Sequence, residues 1–232
     1  GFCRVCVSEW TSPDFDRDFD LDGYLRRGER HVAVEADVPA AHASVAHACK
    51  RAGLAERALG HYLAAARFAP PLPRCDWEAL KTAVLLERDI AAFEAAARLS
   101  AFGPPSIWEK RETTPTRVAE VMAIAAARSA DKRPWLRTFA LLLEHTKTDA
   151  AATALIESIR DAVAKDLPLP PTTTSRGSLV PANPDEDAWY QAVRASYAAG
   201  QVRDEDLLLD PVLAPLRKSK ALGDVLGIRR EF

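Results

Sequence analysis

The chain has 232 residues, 48% of them hydrophobic, with 31 basic against 33 acidic side chains and a formal net charge of −2. That length and apolar fraction are enough to bury a sizeable core. The near-neutral balance and sequence pI of about 6.3 argue against nucleic-acid binding, which needs a basic stripe. No apolar run approaches the roughly 20 residues that span a bilayer, so no membrane association is expected. Ala is abundant, Gly is scarce and runs of β-branched residues are nearly absent, which favours helix throughout.

Residues 1–30 read as a separate acidic and aromatic arm. Gly1-Phe2-Cys3-Arg4 has no basic stretch followed by an apolar core, so it is not read as a signal peptide. Because it also lacks Met, the chain is read as a fragment or a processed product. Cys3 and Cys6 have the spacing of half a zinc site, but no second Cys or His pair follows at the required distance. Two ordinary thiols are expected. Asp18, Asp20, Asp22, Gly23 and Glu29 satisfy the EF-hand loop formula, in which carboxylates supply hard oxygen ligands and Gly permits the sharp turn. Pro13 falls where the first helix would lie, and Gly28, Arg26 and Arg27 disfavour the second. A solvated acidic arm is expected there, without metal. Cys49 and Cys75 fall singly on helical patterns and read as small buried hydrophobes in a reduced, cytoplasmic protein.

From about residue 40 the apolar pattern is helical. One helix runs through Ala41, Val45, Ala46 and Cys49 and stops at Gly53; the next carries Ala58, Tyr62, Ala65 and Ala69 and ends at Pro70 and Pro71, as the proline ring dictates. A second pair over 76–99 has stripes Trp77, Leu80, Val84 and Ile90, Phe93, Ala97. Thr114-Pro115 opens a helix bearing Val118, Val121, Met122 and Ala125. Pro134 opens one with Trp135, Phe139 and Leu142, and Asp149 caps one with Leu155, Ile159 and Val163. The stretch 166–184 contains five prolines and is expected to link or strap. A final unit over 185–232 has Trp189, Val193 and Tyr197 in register, Gly200 at a helix end, a short helix at Asp210-Pro211, and a last helix with Leu222, Val225 and Leu226. The fold class is therefore all-α: antiparallel helix hairpins forming a short solenoid or compact bundle over 31–165, plus the C-terminal unit.

Gly53, Ala58, Tyr62, Ala65 and Pro70 stand at the spacings of a tetratricopeptide repeat, so 42–70 resembles that family. His42, Val45, Ala46 and Cys49 depart from its preferred residues. The run Leu207-Leu208-Leu209-Asp210-Pro211-Val212-Leu213-Ala214-Pro215-Leu216-Arg217 resembles the C-terminal cap of bacterial members. The resemblance implies a groove lined by the first helix of each pair. It places Ala43, His47, Lys50 and Arg51 there, with Lys81 from the second pair, as contacts for another protein or peptide. Lys50 and Arg51 suit an acidic segment or a C-terminal carboxylate. The competing reading is that both are solvated charges favoured by a helix C-terminus. The amide-and-lysine clamp of chaperone-binding members is not reproduced at Ser44 and Ala48.

No Gly-rich phosphate loop, His-Glu-x-x-His or Gly-x-Ser-x-Gly run occurs, and the five histidines are scattered. The expected function is a protein–protein interaction scaffold with no catalytic residue, metal or cofactor. The alternatives are a regulatory piece of a larger kinase- or protease-like enzyme, or a metal-dependent module organised by the N-terminal arm.

Overall fold

The computed structural model describes residues 39–67, 73–102, 114–170, 186–217 and 223. The acidic arm with Asp18, Asp20, Asp22 and Glu29, the pair Cys3 and Cys6, most of the Pro-rich segment and the last expected helix lie outside these residues.

The described chain is helical, and no strand occurs in it. In order, α1 is Pro39–Arg51, α2 Ala55–Ala66, α3 Pro73–Leu85, α4 Asp89–Phe102, α5 Pro115–Arg128, α6 Arg133–Leu143 and α7 Ala150–Ala164. Then come α8 (Glu186–Ala198), α9 (Asp204–Leu209), a 3-10 turn (Pro211–Leu213) and α10 (Ala214–Arg217). Successive helices pack on one another: α1 on α2, α2 on α3, and α3 on α4. Helix α5 packs on α3 and α4, α6 on α4, and α7 on α5 and α6. This is the contact order of a stacked helix-hairpin array.

The first two hairpins are copies at a fixed offset. Pro39 and Pro73 open α1 and α3, and Ala55 and Asp89 open α2 and α4, each 34 residues apart. The turns match too. Gly53 takes φ 75°, and 34 residues later Glu87 takes φ 57°. Both turns close with the same bond, the N–H of Leu54 donating to Cys49 O and that of Arg88 to Ala83 O, each at 2.8 Å. The left-handed residue lets these amides reach back over the last turn of the helix. Gly does so freely, whereas Glu87 adopts a region that side chains disfavour. The second turn thus keeps its geometry without its glycine.

Small residues line the contacts. Ala58, Ala65, Ala92, Ala95 and Ala96 are fully buried, which allows backbones to approach closely. One expected stripe shifts: Ile90 is 81% exposed, and α4 buries Ala92, Ala95, Ala96 and Leu99 instead of Ile90, Phe93 and Ala97. Ile90 sits in the first turn of α4, and the alanine face fits the close contact with α3 better than a branched side chain. The stripe on α5 holds, with Val118, Val121, Met122 and Ala125 wholly buried, as does that of Trp135, Phe139 and Leu142 on α6. On α7 Ile156 is fully buried and the expected Leu155 half-buried, and Ala69 of the α2 stripe lies outside the described residues. Trp135 meets Phe93 edge to face at 5.3 Å between ring centres. Thr114 accepts from the Arg117 N–H at 3.2 Å and Asp149 from the Ala152 N–H at 3.0 Å, capping α5 and α7 as their sequences dictate. Cys49 and Cys75 are buried. Among the described residues, no helix is long and apolar enough to cross a membrane.

Candidate functional site: a buried charge junction

The lysines at the end of α1 and in the middle of α3 meet three carboxylates drawn from two places in the chain, α3 and the start of α9. Lys50 Nζ donates to Glu78 Oε2 at 2.8 Å and also bonds Asp204 Oδ2. Lys81 Nζ donates to Glu78 Oε1 at 2.8 Å and to Glu205 Oε1 at 2.9 Å. Glu78 therefore gives one oxygen to each lysine. Tyr197 on α8 donates its hydroxyl to Asp204 Oδ1 at 2.8 Å. The result is one continuous line, Tyr197–Asp204–Lys50–Glu78–Lys81–Glu205, drawn from α8, α9, α1 and α3. The Lys81 ammonium also lies 5.1 Å from the centre of the Trp77 ring, whose face attracts a cation.

Local sequence explains each arm of this line. Glu78 and Lys81 stand at i and i+3 on α3, where side chains share a face. Asp204 and Glu205 open α9, where acidic groups are favoured by the unsatisfied N–H groups. The Arg203 N–H donates to Asp206 at 2.9 Å, which fixes the start of that helix. Leu207, Leu208, Leu209, Leu213 and Leu216 are then buried, so α9 packs on α3 and α5 through apolar side chains behind its acidic tip.

Burial and pairing oppose one another here, and pairing wins. Burial alone would pull the Lys50 pKa down, yet Asp204 and Glu78 raise it well above its ordinary value. Lys81 behaves alike, with Glu78 and Glu205 overcoming its burial. Burial would push Glu78 up, but Lys81 and Lys50 hold it well below the usual carboxylate range. The phenols of Tyr62 and Tyr197 are raised by burial. Every member with a shifted pKa is thus fixed in one ionisation state at neutral pH. A lysine nucleophile needs the opposite shift; here both lysines are held as ammonium donors clamping the carboxylates.

The five residues expected to contact a partner part company. Lys50 is half-buried and Lys81 buried, and the chain's own carboxylates engage both. Ala43 is half-buried and packs against the core. His47 and Arg51 are exposed on α1, with His47 Nδ1 3.5 Å from the Tyr62 hydroxyl. Sequence reading missed Glu78, Tyr197, Asp204 and Glu205. The visible signal was Asp204-Glu205-Asp206 set directly before three leucines. Among the described residues no group of three His, Cys, Asp or Glu could hold a metal ion. Elsewhere, Asp76 is buried on α3 and accepts from Arg98 Nε at 2.7 Å. Burial lifts its pKa to about 6 against the pull of Arg98.

No known protein family, no curated protein and no solved structure matches this chain.

Proposed function

We propose that this chain is a protein–protein interaction scaffold built on tetratricopeptide-like hairpins, and that the face carrying α1, α3 and α5 receives an acidic protein segment. Two features support the family likeness: the 34-residue offset of the first two hairpins, which is the length of that repeat, and the small residues between their helices. The observation that carries the function is the seating of Asp204 and Glu205 on Lys50 and Lys81. A short acidic helix, 154 residues along the chain from Lys50, occupies the positions at which the repeat reading puts a ligand. His47 and Arg51 extend that face to the surface.

The test exploits the exposed edge and leaves the ion-paired lysines alone. Wild type and Arg51→Glu are used to capture proteins from host extract, with circular dichroism confirming equal helix content. A partner held by wild type and lost by the variant supports the reading. A partner held equally by both moves binding off this face, and enrichment of nothing removes the scaffold reading.

A further inference from the structure

The proposed scaffold says nothing of what recognition on this face requires, but the occupant already seated there does. Helix α9 offers two adjacent carboxylates at its first turn, one to each lysine. Leu207 and Leu208 follow and are buried at once. A neighbouring pair of ammonium groups with a hydrophobic shelf beyond them selects for that order: acid, acid, spacer, then leucines. Glu78 spaces the two lysines by holding one on each oxygen, so the charge pattern is pre-organised.

Helix α9 depends on its surroundings to keep its shape and place. It has six residues, too short to persist as a helix without tertiary contacts. Desolvation offsets much of the Coulomb attraction of a buried ion pair, so such pairs set register more than they add affinity. What keeps α9 in place is its leucine side chains and its covalent attachment, which gives it a high effective concentration.

We infer that the α1–α3–α5 face is a receptor site for acidic, leucine-bearing helical segments of the type Asp-Glu-x-Leu-Leu carried by a partner protein, and that α9 fills it as an internal ligand which such a segment displaces. The inference rests on the interaction reading above. A partner segment competes against α9, so its apparent affinity falls by the fraction of molecules in which α9 is lifted.

Hydrogen exchange on the full native chain tests this without any variant of the protein. The probe is a synthetic peptide of residues 200–217, isotopically heavy so that its fragments are distinguished from the chain's own. At about ten times its dissociation constant for the open face, it raises the exchange of the chain's residues 204–209 roughly tenfold by capturing the open state. Residues 118–126 of α5 stay unchanged. The same peptide carrying Asp204→Lys and Glu205→Lys has no effect. No acceleration at millimolar peptide overturns the inference. Equal acceleration by both peptides overturns it too, because charge is then not what is read. Acceleration that spreads to α5 does the same, since the peptide is then unfolding the array. Capture of a partner through Arg51 reads the scaffold proposal separately, so failure of one is distinguishable from failure of the other.

Discussion

Where α5 meets α6 and α7, the interior is apolar: Val118, Val121, Met122, Phe139, Leu142, Ile156 and Ile159 pack with almost no exposure. Where α9 meets α1 and α3, an interior of similar depth is ionic, with Lys81, Asp204 and Glu205 buried and Glu78 at their centre. The first region is held by area removed from water, which depends on shape and not on partners. The second opposes the solvation of each charge and is favourable only as a complete set. The array thus has a self-sufficient body and a conditional closure. That division fits a face whose occupant changes.

Phe139→Ala strikes the first region. The ring is fully buried, so its loss is expected to destabilise by about 3–5 kcal/mol through transfer and cavity terms. Urea unfolding measures this, and the loss is the same whether or not Glu205 is present. Lys81→Met strikes the second. It strands Glu205 and leaves Glu78 with Lys50 alone, at an expected loss of roughly 3 kcal/mol. Adding Glu205→Gln to Lys81→Met is expected to recover about 1 kcal/mol or more, because the stranded charge is removed. Strict additivity of those two changes would erase the contrast between the regions.

A pH-dependent effect concerns Asp76, where α3 leans on α4. Its carboxyl is lifted to about 6 in the folded chain by burial, against an ordinary value of 3.8, with Arg98 pulling the other way. Between these values the folded state binds more protons than the unfolded one, so its contribution falls as pH rises and is lost above about pH 6. Glu78 runs in the opposite sense. Its lowered value stabilises above its unfolded pKa, and that is lost as pH falls. Asp76→Asn is therefore expected to flatten the decline between about pH 4 and 6, by on the order of 2 kcal/mol. Melting temperatures of the two chains across that range check it. Parallel profiles would mean that Arg98 neutralises Asp76 completely.

Most of the helical body was legible because its determinants are local. Thr114-Pro115 and Asp149 announce helix starts in the chemistry of one turn, and Gly53 announces a stop. The stripes on α1, α2, α3, α5 and α6 follow from a period of 3.6 residues meeting one apolar neighbour. The stripe on α4 was misjudged because periodicity alone does not say whether a contact wants a large side chain or an alanine. The turn at Glu87 carried no glycine to mark it, and its left-handed residue is imposed by the hairpin around it.

Lys50 and Lys81 were singled out by the repeat pattern as partner contacts, but not as already engaged by the chain itself. Their partners Asp204 and Glu205 lie far along the sequence, and no local rule links an acidic tripeptide at 204–206 to lysines on α1 and α3. Composition, capping chemistry and helical periodicity determined that this chain is all-α and where most of its helices begin and end, because each of those is settled within a few residues. Only the tertiary structure decided which face α9 covers and which charges it neutralises. A buried ion pair has no sequence signature until the fold brings its two halves within hydrogen-bond distance.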